Sequence, residues 1–305
     1  MGPILFILFT ADFHSCMPEY KISAYADDTQ ILVTSKSEDE LRRRVEAVIE
    51  EAQRWFSANS LKINPTKTEV LIFGRRNTLN KLSFSVREGG KSCTIENTEK
   101  MKILGVYLDE DISWKAQVKS VKSKASRIIR NLARTTHVLP LKQRRILYDA
   151  LVTPHFNYCD TVWGGMSQRL NDDLQRTGNF AAKALLGMKK KDSAKDALLQ
   201  LNMMPFKDKR SVHLGVLVHK LNKNIGPKEL IQNYKGMIER THSHQTRMAS
   251  RGDMNHIQHR SSKFEKSTIH RALNTWNSIP DNIRQIDSTG AFKRSYQAHL
   301  LSIFQ

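Results

Sequence analysis

The stretch Lys21-Ile22-Ser23-Ala24-Tyr25-Ala26-Asp27-Asp28-Thr29-Gln30-Ile31-Leu32-Val33-Thr34 decides how the rest of the chain is read. Ile22, Ala24 and Ala26 alternate with polar neighbours, and Ile31 and Val33 supply β-branched residues beyond a short polar break. That pattern predicts two short strands around a tight turn, with Asp27 and Asp28 at the tip. Adjacent carboxylates repel, and each raises the other's pKa unless a cation sits between them. Mg2+ is a hard ion that takes carboxylate oxygen, and a pair of such ions can activate a hydroxyl and stabilise a leaving pyrophosphate. Asp-Asp is also an ordinary turn pair, so the four residues Tyr25–Asp28 leave a plain turn and a metal site both open.

Working outward, residues 3–14 read as a buried apolar helix. Ser37 followed by Glu40 forms a capping-box signature for a long helix that should end near Asn59. Leu41, Val45, Val48, Ile49, Ala52 and Phe56 recur at helical spacing, and Arg42, Arg43, Arg44, Glu46, Glu50 and Glu51 cover the opposite face. Strands are expected at 68–73 and 102–108. The intervening 75–100 is polar and loop-rich, with one further strand compatible with 82–86. Beyond Trp114 the period becomes helical, with helices expected at 115–134, 141–152 (stopped by Pro154), 168–187, 193–201 and 206–223, the last amphipathic. Residues 224–262 are polar, basic and rich in His and Arg, which reads as a flexible segment, and short helices are expected at 263–277 and 289–304. The fold class is therefore α+β.

The chain has 305 residues and a formal charge of +19, with a pI near 9.9. Lys and Arg are spread through nearly every segment, so the excess makes a positive field that attracts polyanions. Nucleic acid is the favoured partner, with anionic membrane surfaces as the alternative. Lys115, Lys119, Lys122, Lys124, Arg127, Arg130 and Arg134 form a stripe along one helix, either a solvated face or a phosphate-tracking one. His242, His244, His256 and His259 cluster loosely, but no cysteine is close enough to complete a zinc knuckle. Trp55, Trp114, Trp163 and Trp276 are spaced singly and read as core.

Cys16, Cys93 and Cys159 are too few and too scattered for a disulfide framework, which suits a reducing compartment. No apolar run reaches the ~20 residues of a membrane helix. The run Pro3–Ala11 has no basic start, so it is not read as a secretory signal, and Phe6 stands where myristoylation wants Ser or Thr.

Four motifs in order carry a family resemblance. Tyr25-Ala26-Asp27-Asp28 with its strands resembles the third palm motif of reverse transcriptases. Gly2-Pro3-Ile4-Leu5-Phe6, followed by Ala11-Asp12-Phe13, is similar to the end of the second. Leu61-Lys62-Ile63-Asn64-Pro65-Thr66-Lys67-Thr68-Glu69 resembles the next, and Ile103-Leu104-Gly105-Val106 resembles the primer-grip strand. Farther on, Trp114, Tyr148, Pro154, Tyr158 and Val162-Trp163-Gly164 resemble the segment after the polymerase domain in jockey-like non-LTR (LINE) retrotransposons. Trp276-Asn277-Ser278-Ile279-Pro280-Asp281-Asn282-Ile283, then Phe292-Lys293, resembles the end of such reading frames.

The resemblance implies a truncated palm over 1–108, a helical thumb or connection region over 109–223, and a basic C-terminal region over 224–305. It implies RNA-templated DNA synthesis, with RNA template, DNA primer and deoxynucleoside triphosphates as partners, two Mg2+ ions as cofactor, and a cytoplasmic or nuclear ribonucleoprotein location. Asp27 and Asp28 would be catalytic and hold metal, Tyr25 and Ala26 would line the primer end and nucleotide, and Lys67 would approach the triphosphate. Lys115, Lys119, Lys122, Arg127 and Arg130 would lie against the template–primer duplex. The family also uses an aspartate from an earlier palm strand, and Asp12 is the only earlier aspartate here. Met1 falls where the family has a Leu before Gly-Pro, which implies an internal start and a palm hairpin with an exposed edge. The alternative is a non-catalytic, nucleic-acid-binding remnant; a viral RNA polymerase would instead want Gly-Asp-Asp.

Overall fold

The computed structural model describes residues 2–74, 82–88, 91–238, 254 and 261–305. The chain divides into two compact units, Met1–Asp111 and Ile112–Gln305.

In the first unit, α1 (Gly2–Phe9) and α2 (Phe13–Cys16) lead into β1 (Lys21–Tyr25), β2 (Asp28–Leu32) and the long α3 (Glu38–Ala58). Ser37 caps α3, its hydroxyl accepting from the Glu40 amide at 3.3 Å. The return arm of the expected capping box runs through Ser35, whose hydroxyl donates to Glu40 Oε2 at 2.8 Å and accepts from the Ser37 amide at 3.2 Å. The bond from Ser35 holds the Glu40 carboxyl below its usual range.

The apolar positions of α3 do not form one face but two. Val48, Ala52 and Trp55 pack with Phe13 and Met17 beneath Ile22, Ile31 and Val33 of the hairpin. Leu41, Val45 and Ile49 pack instead on Ile72, Leu82 and Phe84. The second group belongs to a sheet of order β3-β5-β4, built from β3 (Val70–Leu71), β4 (Ser83–Glu88) and β5 (Lys91–Thr98). β3 runs parallel to β5, and β4 runs antiparallel to it. The strand β5 lies in the stretch read as loop; its polar residues sit opposite β4 and gave no apolar alternation.

The single strand expected at 102–108 is a hairpin of β6 (Lys100–Ile103) and β7 (Val106–Asp109). Leu104 and Gly105 between them both take positive φ, 45° and 88°, which is the backbone of a tight two-residue turn. The helix α1 also departs from expectation. It was read as buried, yet none of its residues is buried, and Ile4, Leu5, Ile7 and Leu8 are largely exposed.

The second unit is helical: α4 (Lys115–Arg134), α5 (Leu141–Leu151), α6 (Thr153–Asn157), α7 (Asp160–Trp163), α8 (Gln168–Leu186), α9 (Ala194–Gln200), α10 (Phe206–Asn222), α11 (Lys228–Ile238), α12 (Ser262–Glu265), α13 (Thr268–Ser278), α14 (Asp281–Arg284) and α15 (Thr289–Phe304). Helix α10 was expected to be amphipathic. Instead it is central and buried nearly all round, from Phe206 and Arg210 through Val212, Leu214, Gly215 and Val218 to Leu221. It shares one core with Trp276, Ile283, Phe292 and Tyr296, so the expected division at 223/224 falls inside this unit. Within the stretch read as flexible, α11 is a helix anchored by Tyr234, which is buried and donates to Asn222 Oδ1 at 2.9 Å. Trp55, Trp114, Trp163 and Trp276 are all buried.

Candidate polymerase turn and nucleic-acid interface

The strands β1 and β2 pair antiparallel from Lys21↔Leu32 to Tyr25↔Asp28, leaving Ala26 and Asp27 as a two-residue turn. Ala26 has φ 52°, the left-handed region that glycine fills without a steric cost. A non-glycine residue held there stores on the order of 1–3 kcal/mol, and such positions gather at functional sites. The turn presents Tyr25, Ala26, Asp27 and Asp28, all exposed, with Tyr25 at 68%.

Only one face of the hairpin is covered. Ile22 and Ile31 reach the core, whereas Ala24 and Ala26, expected to alternate inward with Ile22, are exposed. Among the described residues, neither strand of this two-stranded sheet has a further partner. Arg44, expected on the solvated face of α3, ties that helix to the hairpin. Its guanidinium donates to the Thr34 carbonyl at 2.6 Å and lies over the Tyr20 ring, 5.4 Å from its centre.

Lys67 sits on a separate turn. Asn64 organises it, its Oδ1 accepting from the Thr66 amide at 3.0 Å and the Thr66 hydroxyl at 2.7 Å, while its carbonyl accepts from the Thr68 hydroxyl at 2.9 Å. The Lys67 side chain is exposed.

As a metal site the turn is incomplete. Asp27 and Asp28 offer hard oxygen donors suited to Mg2+. Among the described residues, however, no group of three or more His, Cys, Asp or Glu side chains is placed to hold an ion. Asp12 is exposed at the start of α2 and belongs to no such group. Two carboxylates on adjacent residues do not by themselves enclose a pair of divalent ions, so the residues present do not fit a complete two-ion centre. The histidines at 242, 244, 256 and 259 lie outside the described residues.

The basic stripe is on α4. No Asp or Glu occurs between Asp111 and Asp149, so nothing acidic on this helix neutralises it. At about 100° per residue, Lys115, Lys119, Lys122, Arg127, Arg130 and Arg134 fall within an arc of roughly 140°, and Lys124 lies outside it. The buried arc of Val118, Val121, Ala125, Ile129 and Leu132 faces α8. Lys122, at the border, is not purely a surface charge: its ammonium lies 3.2 Å from Asp173 of α8 and holds that carboxyl below its usual range.

Sequence reading missed a second charged cluster, centred on Asp160. That carboxylate is buried, and its Oδ2 lies 2.6 Å from His213 Nδ1. The guanidinium of Arg210 sits 5.9 Å over the ring of fully buried Trp163 and donates to Asn171. Arg271 donates to the Thr161 carbonyl at 3.0 Å. Burial lowers both arginines to about 10, with Arg210 adding to the effect on Arg271 and Asp160 opposing it in both; each stays charged at neutral pH. Gly164 and Gly165 make the approach possible. A Cβ on Gly164 would lie 2.4 Å from the Arg271 guanidinium, and one on Gly165 would lie 2.0 Å from the Lys266 carbonyl oxygen. The sequence signal was weak: Arg210 and His213 stand one turn apart, but Lys207, Asp208, Lys209 and Ser211 beside them are polar as well.

Residues 1–108, which include the exposed carboxylate hairpin, match the family described as reverse transcriptase (RNA-dependent DNA polymerase). The chain is also similar to a probable RNA-directed DNA polymerase from transposon BS of Drosophila melanogaster, 25% identical over 195 residues, which covers 61% of this chain and 21% of that protein. The chain therefore spans about a fifth of the length of the curated relative it matches. Both similarities point the same way, to a reverse-transcriptase segment of a transposon. No solved structure matches it. Among the described residues no helix is long and apolar enough to cross a membrane.

Proposed function

We propose that Tyr25–Asp28 is the metal-binding turn of an RNA-directed DNA polymerase, and that the helical unit holds template and primer. The observation that carries this is the hairpin itself: two exposed carboxylates at a two-residue turn whose first residue is held at φ 52°. In this reading Asp27 and Asp28 contribute oxygens to a Mg2+ pair, which would bring the primer hydroxyl and the triphosphate together when bound. Tyr25 and Ala26 line the primer end, and Lys67 offers charge to the triphosphate. The template is RNA, the primer DNA, and the setting a cytoplasmic or nuclear ribonucleoprotein. Lys115, Lys119, Lys122, Arg127 and Arg130 supply sequence-independent phosphate contacts, so the 109–223 stretch acts as the thumb.

A second reading has one specific observation in its favour. With no third carboxylate at the turn among the described residues, the chain by itself is a nucleic-acid-binding remnant without catalysis. The experiment that tests the site joins this chain to a polymerase palm strand bearing a third carboxylate. It then measures Mg2+-dependent extension of a DNA primer on RNA, with and without Asp27→Asn. Extension is expected only with Asp27 intact, and activity that survives Asp27→Asn puts the site elsewhere.

A further inference from the structure

We propose that the groove between the ends of α4 and α8 binds a single-stranded nucleic acid, with an unpaired base on Phe180. This inference rests on the groove's own chemistry and does not depend on the polymerase reading. The groove encloses about 660 Å³, within the range of pockets that hold small organic ligands. Its lining includes three cations, Arg176, Lys183 and Lys190, together with Phe180 and Met188, and no carboxylate.

Phe180 is the informative residue. It lies on α8 beside Ala181 and Ala182, which are buried, yet its own ring is 42% exposed and faces the groove. An exposed aromatic ring among cations suits one ligand class well: a base stacks on the ring while its phosphates meet the charges. The walls are fixed in place. Lys183 Nζ donates to the Lys190 carbonyl at 2.9 Å, which ties the loop after α8 back to the helix. Gly187 makes the reversal at φ 69°.

The charge balance survives its opponents. Both helices turn their C-terminal ends this way, each worth about −0.5 of a charge. Asp173 lies 2.7 Å from Arg176, but the same carboxylate is shared with Lys122, so that trio keeps one positive charge. Asp192, which accepts from the Lys189 amide at 2.6 Å, keeps its charge, but it stands among Lys189, Lys190 and Lys191, which outweigh it. The groove thus stays cationic. Stacking requires an unpaired base, so it should prefer single strands to duplex, unlike the convex face of α4.

The test uses the full chain and a labelled oligouridylate, free or paired with its complement, with affinity read by fluorescence anisotropy. Phe180→Ala should weaken single-strand binding by about tenfold and leave duplex binding within about twofold, while Phe180→Trp should retain both. Arg176→Ala with Lys190→Ala should reduce the slope of log K against log salt on single strands by about 1.4. With 4-thiouridine in the oligonucleotide, irradiation should place the adduct on the tryptic peptide Thr177–Lys183. Equal losses on single strand and duplex in Phe180→Ala overturn the proposal. So does a folded Phe180→Trp protein that no longer binds single strands, or an adduct confined to other peptides.

Discussion

The two units differ in how completely each is built. Among the described residues of Met1–Asp111 the secondary structure forms three small separate sheets, an apolar helix α1 with no buried residue, and two modest core clusters arranged around α3. In Ile112–Gln305 a central helix, α10, is buried nearly all round and joined to α13 and α15 through Trp276, Phe292 and Tyr296. The recognisable chemistry lies in the first unit and the packing in the second. The hairpin leaves Asp27 and Asp28 exposed at its tip, whereas the helical unit closes around α10.

The largest expected effect separates the units by hydrogen exchange. Backbone amides of α1 and of the β1–β2 hairpin should exchange at least about a thousandfold faster than those in the middle of α8 and α10, since local opening ranges from near zero up to the global stability. Equal protection in both units would remove the contrast.

The next effect sharpens the account of the helical unit. Gly165→Ala drives a methyl into the Lys266 carbonyl, which as backbone cannot swing aside, and should cost about 3 kcal/mol in denaturant unfolding of this unit. A loss below about 0.5 kcal/mol would mean that Arg271 and the Asp160 cluster are not held by this close approach.

A smaller effect tests the basic face. Lys119→Glu with Arg130→Glu should weaken RNA–DNA duplex binding and flatten its salt dependence, each lost phosphate contact removing about 0.9 from the slope. Lys122 is the wrong residue for this purpose, because reversing it also breaks the link to Asp173 and so disturbs the α4–α8 contact. Unchanged duplex affinity in the Lys119–Arg130 variant would move the interface off α4.

The smallest effect is a pH dependence. Burial, with Lys124 adding to it, holds the His155 pKa below its ordinary 6.5. A depressed folded pKa gives stability that is present above pH 6.5 and lost as pH falls through the folded value. The urea midpoint of the helical unit should therefore drop between pH 7 and pH 5, and His155→Gln should reduce that drop. An identical profile in the variant would assign the dependence to other groups.

Much of the fold was legible in the sequence because helix periodicity is a local signal. The spans of α3, α4, α8 and α15 follow from the spacing of their apolar residues and from caps such as Ser37. What escaped was set by tertiary context. The strand β5 is polar because β4 and β3, not an apolar face, define it. The Leu104-Gly105 turn hides inside what reads as one apolar strand, and α10 is interior although its sequence carries Arg210 and His219. At the candidate site, Tyr25–Asp28 was legible because the turn is short and its strands are regular. The Asp160 cluster was not, since its members lie on three separate helices brought together by glycines at 164 and 165.

Under the proposed function, Asp27 and Asp28 are two carboxylates of a polymerase site, and among the described residues no third is placed to close a two-ion centre. Primer extension by the purified chain itself tests that most directly, with a DNA primer annealed to an RNA template, Mg2+ and all four deoxynucleoside triphosphates. The primer should be bound, in a salt-sensitive manner, and stay at its original length. Robust Mg2+-dependent extension by the chain, abolished by Asp27→Asn, would show that its two carboxylates suffice and would contradict the account.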